Sequence, residues 1–524
     1  MPRRSLAELR FPYKGLNESF SYHGQRSDTS AQLQNVRAFD PTTGRSRGGQ
    51  RAGLTKYLSA QHEGGANHIQ CLFSAAFAKD AAYSATTLPT RDIKRIAICA
   101  GDVQTFTTSA FATPTSGSNA LLSTAPIIQA AQLFDKVYFA DSSSEKFYNM
   151  TTNRVSAWTA SAGTLPNDGT YKPRLICTYR GRICVAGLPK DPANWFMSAV
   201  GNANDWDYSP STVTETQAMS GANSLAGKVG DSITALIPIE DDLLVFGGDH
   251  SISKMVGDPM AGGRIDNVTN TTGMLFGAAH TRDPQGNTYF FGSRGGVYRM
   301  NPAATTVERI TSTVIDERLS TIDVENVVVN LVWDDRTQGL HVFISPLTAA
   351  ATTHYFYDAR QDAWFMDVFG STDHDPIAVD LFDGDDPSDR AILLGGRDGR
   401  VRKMDMTAKD DDGTAIDSHV LLGPIKQPGG SGQQLTELTM VLGKDSYPIT
   451  CEVYSGSHAE DAFNANPVYT TRLYKGRNSV KRPRVRGHAM YIKLRNRQSG
   501  ENWQFESAIA GLEVYDGSGQ RIYN

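Results

Sequence analysis

Short apolar runs broken by small and polar residues recur along this chain of 524 residues, and four of them lead to a methionine in the same way. Tyr138-Phe139-Ala140 runs to Met150, Leu244-Val245-Phe246-Gly247 to Met255, Tyr289-Phe290-Phe291-Gly292 to Met300, and Ile392-Leu393-Leu394-Gly395 to Met404. Each unit is an apolar triplet, a small residue, a polar turn and a short alternating segment, which is the pattern of a β-hairpin. Met255 and Met300 are 45 positions apart, while the gaps before and after are 105 and 104, so each long gap should hide one weaker unit. Arg182 to Met197 and His341 to Tyr357 fill those places, and Ile96 to Phe106 lies about one period before Met150. A strand-built repeat of roughly 40–50 residues predicts a β-propeller, and the hairpins number seven.

Beyond the repeats the pattern changes. Leu435 to Leu442 and Ile449 to Tyr454 alternate apolar and polar positions, and Met490 to Leu494 and Ala508 to Tyr515 also read as strands. Pro424, Pro428, Gly429, Gly430 and Gly432 mark a loop among them. About a hundred residues of this kind predict a small β-sandwich. The start of the chain shows few buried-strand signals and reads as an extended arm lying along another surface. The expected division is therefore an N-terminal arm over 1–64, a propeller over 65–412 and a sandwich-like domain over 413–524. Helical periodicity is scarce, with short helices expected only near Ser5 to Leu9 and Val314 to Ile322. The 48 glycines suit an all-β chain of many tight turns.

No apolar run approaches the ~20 residues that span a bilayer. Leu6-Ala7-Glu8-Leu9-Arg10 is not the apolar core of a secretory signal. The expectation is a soluble protein made in the cytoplasm, whose five cysteines stay reduced. Cys177 and Cys184 flank the turn Tyr179-Arg180-Gly181-Arg182, which should set them opposite each other on one sheet.

Motifs for catalysis are missing. Gly227-Lys228 lacks the upstream glycine spacing of a phosphate loop, and His62-Glu63 has its next histidine only at His68. A calcium loop ending at Asp412-Gly413 needs an acid where Ala408 stands. Paired carboxylates of a propeller-type glycoside hydrolase are the main enzymatic alternative. Asn204-Asp205-Trp206-Asp207 and Arg360-Gln361-Asp362-Ala363-Trp364 place Asp near Trp, but lack the Ser and Gly of an SxDxGxxW turn. Neither a catalytic residue, a metal site nor a cofactor is expected.

The net charge is only -5, but it is unevenly distributed. The first fifty-odd residues are basic, and Arg472 to Arg497 contains ten Lys and Arg with no acid between them. An acidic zone from Asp373 to Asp417 separates these ends. Segregated charge of this sort suits docking surfaces or a directional field.

The run Val36-Arg37-Ala38-Phe39-Asp40-Pro41-Thr42-Thr43-Gly44-Arg45, leading to Gly53-Leu54-Thr55-Lys56-Tyr57, resembles the opening of tail nozzle proteins of short-tailed bacteriophages, the tail tubular protein B family. Arg180 to Gly187, Trp195 to Trp206 and Ile237 to Gly247 are similar to segments of the same family. The resemblance implies a six-bladed propeller and a homohexameric ring below the portal and adaptor rings of a virion tail. Double-stranded DNA passes through the bore on ejection, and tail fibres or spikes are further partners. Under that reading the basic ends dock on neighbouring subunits or rings through Arg45, Arg47, Arg477, Lys481, Arg482, Arg484 and Arg486. A conduit should repel the duplex rather than hold it by its phosphates. Asp383, Asp385, Asp386 and Asp389, and then Asp410, Asp411 and Asp412, are the expected wall. The alternative is a carbohydrate-binding or depolymerising tail protein that contacts the host surface.

Overall fold

The computed structural model describes residues 4–78, 91–115, 120–311, 314–384, 386, 389–427 and 430–515. Eight four-stranded antiparallel sheets are found among them, and the seven built from residues 69–112, 129–157, 175–220, 233–269, 280–309, 327–367 and 378–405 are numbered here as blades 1 to 7. The fourth strand of blade 7 is the N-terminal segment Gly53–Lys56, which pairs antiparallel with Val401–Asp405. Every hairpin of the repeat is the second and third strand of one blade, as with Leu243–Gly248 and Ile252–Val256 in blade 4. The chain is a β-propeller of seven blades, the hairpin count, one more than the resemblance implies.

The repeat has a packing reason. A blade is buried on both faces, so its second strand needs apolar residues at successive positions rather than at alternate ones. In blade 4, Leu244 and Phe246 face a cluster shared with blade 3, whereas Val245 faces one shared with blade 5. In blade 7, Ile392 and Leu394 pack toward blade 6 and Leu393 toward blade 1. Met150, Met255, Met300 and Met404 are all buried in such clusters, where the flexible thioether fills the wedge between sheets. One apolar cluster lies at each junction between blades, and the cluster between blades 7 and 1 closes the ring.

The C-terminal domain is a sandwich of two sheets. One has the order Leu33–Gln34, Ser418–Lys426, Ala489–Asn496, Ile449–Gly456, Tyr469–Leu473. The other has the order Arg4–Leu9, Phe505–Val514, Gln433–Leu442, Gly476–Gly487. The alternation read from the sequence is the inward face: Leu435, Leu438, Met440 and Leu442 meet Ile449, Cys451 and Val453 in one core. Cys177 and Cys184 are direct cross-strand neighbours in blade 3, and both are buried free thiols.

The N-terminal segment differs most from expectation. It is threaded through both domains, giving a strand to each sandwich sheet and closing blade 7. Arg4–Leu9 is an edge strand rather than a short helix, whereas Asp316–Ser320 is helical as expected. Phe11, Leu16, Leu33, Val36 and Ala38 are buried in the core shared by blades 5 and 6 and the sandwich. Gly15, at φ +69, lets its backbone lie against Trp364 in the outer strand of blade 6, where a Cβ would come within 2.2 Å of the Trp364 carbonyl oxygen.

Candidate functional site

The charged residues singled out in the sequence divide into three groups once folded. Arg477, Lys481, Arg482, Arg484 and Arg486 all lie on Gly476–Gly487, a strand at the edge of its sheet, and all five are exposed. Arg482 and Arg484 have positive φ on either side of Pro483, and the pairing with Gln433–Leu442 shifts register there. Such a bulge re-aims side chains and interrupts the edge. Arg486 lies over the Tyr515 ring at 5.4 Å and donates to Gln434 Oε1 at 3.3 Å. Among the described residues, Arg477, Lys481, Arg482 and Arg484 form no ion pair. A polar groove of about 420 Å³ runs beside them, with Glu437 and Glu513 on its lining. Arg45 is likewise exposed, but in the separate turn after Asp40.

The second group is internal, which corrects four of the expected positions. Arg47 is committed to Asp40 at 2.5 Å and to Glu506 at 3.1 Å, joining the N-terminal turn to the sandwich, so it is not a free docking group. Asp411 is fully buried against Arg51 at 2.6 Å and cannot line a channel. Asp412 is engaged by Lys56 at 3.2 Å and Arg402 at 2.9 Å, and Asp410 accepts from Ser499 and the Gly413 N–H. These three aspartates bind the N-terminal strand and the domain junction together, a demand that no local pattern announces.

Arg51 belongs to a buried network that no local pattern of residues foretells. Arg37 makes two bonds to Asp367, at 2.7 and 2.5 Å, and lies over Phe356 at 4.2 Å. Arg51 makes two bonds to Asp411, a third to Asn35 Oδ1, and stacks near Phe369 at 5.0 Å. Burial pushes the Asp367 carboxyl up, but Arg37 and Arg51 outweigh that and hold it below the ordinary carboxylate range. In the adjacent turn, burial is again outweighed for Asp40, by Thr42, Arg47 and the Thr43 N–H, which lower it to about 2. The motif from Val36 to Arg45 thus has a structural use: it ties the first strands to blade 6 and the sandwich.

The third group is the turn after the inner strand of blade 7, Ala378–Phe382. Asp383 lies 3.3 Å from Arg390, which also holds Asp335 of blade 6 at 2.6 Å. Asp386 and Asp389 are exposed, and Asp385 lies outside the described residues. This turn is on the end of the propeller where inner strands finish, not on the axial wall. On the inner strand itself, Asp380 accepts a short hydrogen bond from the Ser74 hydroxyl and so joins blades 7 and 1. Burial pushes Asp380 up to about 6, only partly offset by Ser74 and a backbone N–H. The folded ring therefore favours the protonated carboxyl. Its contribution is complete below pH ~4 and is lost as pH rises through about 6. Asp380→Asn should stabilise the protein at pH 8 by up to ~3 kcal/mol and leave it unchanged at pH 4. Urea unfolding at the two pH values measures this, and equal effects at both would place Asp380 in water.

At the opposite end, where the inner strands begin, the axis is obstructed. Ile127, between blades 1 and 2, reaches across to Gly277, between blades 4 and 5; a Cβ on Gly277 would lie 2.4 Å from Ile127 Cδ1. An open cavity of about 440 Å³ lies around this contact. The sequence offered only weak signals for it, apolar Phe276 and Leu347 in connecting loops. Among the described residues, no group of three or more His, Cys, Asp or Glu is arranged to hold a metal ion, and no helix is long and apolar enough to cross a membrane.

No protein-family model and no curated protein matches this chain. Solved structures that it is similar to include the extracellular domain of a protein from B. thetaiotaomicron described as a hybrid two component system, at 9% identity and TM-score 0.41. The match covers 82% of this chain, and the chain spans 47% of the length of that one. YCF48 bound to D1 peptide matches at 11% identity and TM-score 0.39, over 67% of this chain and 96% of the other. BBS1N in complex with ARL6DN matches at 9% identity and TM-score 0.40, over 68% and 98%. Likeness at this level says nothing about activity.

Proposed function

We propose that this chain is a structural protein of a short-tailed phage virion, assembling head-to-tail into a tail nozzle ring through which double-stranded DNA leaves. The observation that carries the reading is the basic edge strand. Four cations with no carboxylate partner among the described residues are held outward by a bulged, twelve-residue strand. A surface of that kind is suited to an acidic neighbour, where Arg gives bidentate contacts and charge complementarity selects the partner. Heterologous contacts of one patch with a different patch close into rings when the rotation permits. The neighbours would be further copies, completing a ring of six by the family resemblance, together with an adaptor ring and tail fibres or spikes.

The bore in this reading lies between protomers, because Ile127 and Gly277 meet on the propeller's own axis. The exposed acids Asp383, Asp386 and Asp389 are the remaining wall residues, and repeated around a ring they would repel the duplex and let it slide. Light scattering of the purified protein at increasing concentration, with electron images of the product, tests the proposal directly. Rings are the expected product; a monomer under all conditions, and in virions, would remove it.

The same reading has no catalytic step. Asp205 caps its own turn by accepting from the Asp207 N–H, and Asp362 accepts from the Tyr357 hydroxyl at 2.9 Å. Asp205→Asn and Asp362→Asn should leave polysaccharide-directed behaviour unchanged, measured as reducing sugar released. Sugar release by the wild-type protein that either change abolishes would favour the depolymerising alternative.

A further inference from the structure

The cavity at the obstructed end of the axis has features that ring assembly does not use. Its apolar lining comes from Ile127, Met274, Leu275, Phe276, Val327 and Leu347, contributed by segments entering blades 2, 5 and 6 and by a loop of blade 6. Phe276 and Leu347 remain 37% and 40% exposed, although neighbouring apolar side chains of these links, such as Ile128 and Met274, are buried. The volume, about 440 Å³, is in the range that takes a few side chains of a ligand.

Its charged groups are few and of one sign. Asp249 and Glu325 stand in the lining, and no Lys, Arg or His does. Asp249 has the exposed His250 ring 3.0 Å away, and Glu325 has no cation partner among the described residues. Asp323, whose carboxylate accepts the Glu325 N–H, adds a third acid close by. Arg397 is spent on the carbonyls of Pro346 and Leu347. Ser293 is a further polar residue of the lining, with its hydroxyl oxygen turned away from solvent.

We infer that this axial mouth is a peptide-binding site, taking a segment that presents an aliphatic or aromatic side chain flanked by Lys or Arg. The apolar side chain fills the space between Phe276, Met274 and Leu347, and the cations meet Asp249 and Glu325. A neutral ligand would leave both carboxylates to water and gain nothing from them, and an acidic one would add repulsion. The inference stands apart from the ring reading, since a monomer holds every residue of the mouth.

The probe is fluorescein-labelled Lys-Leu-Phe-Lys amide, titrated by anisotropy into the full chain and compared with Glu-Leu-Phe-Glu amide. Saturable binding of the basic peptide is expected, at least ten-fold tighter than that of the acidic one and weakened by added salt. Phe276→Asp and, separately, Leu347→Asp should each weaken it at least ten-fold. Both positions are exposed, and circular dichroism checks that the fold survives. Asp249→Lys with Glu325→Lys should reverse the preference between the two peptides. Equal affinity for both peptides, no saturation, or binding indifferent to these substitutions would overturn the inference. So would loss of self-association in Phe276→Asp without any peptide binding to the wild type, which would give the mouth to a second copy.

Discussion

Arg51→Ala should lower the unfolding free energy by about 3–5 kcal/mol, the cost of leaving a buried carboxylate without its cation. Arg51 and Asp411 are both fully buried, and their two bonds at 2.9 and 2.6 Å fasten the N-terminal segment to the domain junction. Asn35 loses a bond from Arg51 Nε in the same step, although its contacts to Val368 remain. Asp411→Ala should cost a similar amount, because it strands the guanidinium. Changing both, Arg51→Met with Asp411→Leu, should recover most of the loss, since replacing a whole buried pair by apolar groups is often close to neutral. Urea unfolding midpoints measure all three proteins. A loss below ~1 kcal/mol in the single variants would mean that water reaches the pair.

Reversing Arg477, Lys481 and Arg482 to Glu should abolish ring assembly while leaving the monomer folded. One exposed ion pair contributes only ~0–1 kcal/mol, so a single Arg→Ala change should pass almost unnoticed. Three reversals replace attraction by repulsion at a desolvated contact, and every protomer of a ring carries the change. All three side chains are exposed and form no ion pair among the described residues, which is why the fold should tolerate the change. Light scattering and electron images report assembly, and circular dichroism with unfolding curves reports the fold. Normal rings from the triple variant would reject the strand as a docking surface.

The propeller was legible because its signal is local. Each blade must bury a two-strand unit on both faces, and residues such as Leu244, Val245 and Phe246 state that requirement within a dozen positions. Sandwich strands were legible for the complementary reason, one face buried and one wet, as Ile449, Cys451 and Val453 record. The strands that remained hidden are short or depend on remote partners. Gly53–Lys56 has two buried residues and becomes a strand only because Val401–Asp405 needs a neighbour at the end of the ring.

Charge was the least legible property. Asp410, Asp411 and Asp412 read as one acidic turn, yet Arg51, Lys56 and Arg402 consume two of the three carboxylates. Arg47 and Arg477 are alike in sequence terms, but one is held by Asp40 and Glu506 and the other has no ion pair among the described residues. Composition fixes how many charges a chain carries, while only long-range folding decides which of them meet. The amino-acid pattern by itself therefore determined the all-β class, the seven hairpins and the alternating core of the second domain. The tertiary structure decided how the ring closes, that the first strands join two domains, which arginines remain free and that the axis is obstructed. Those outcomes depend on contacts between residues hundreds of positions apart, whose loop closure and burial no short window of sequence can express.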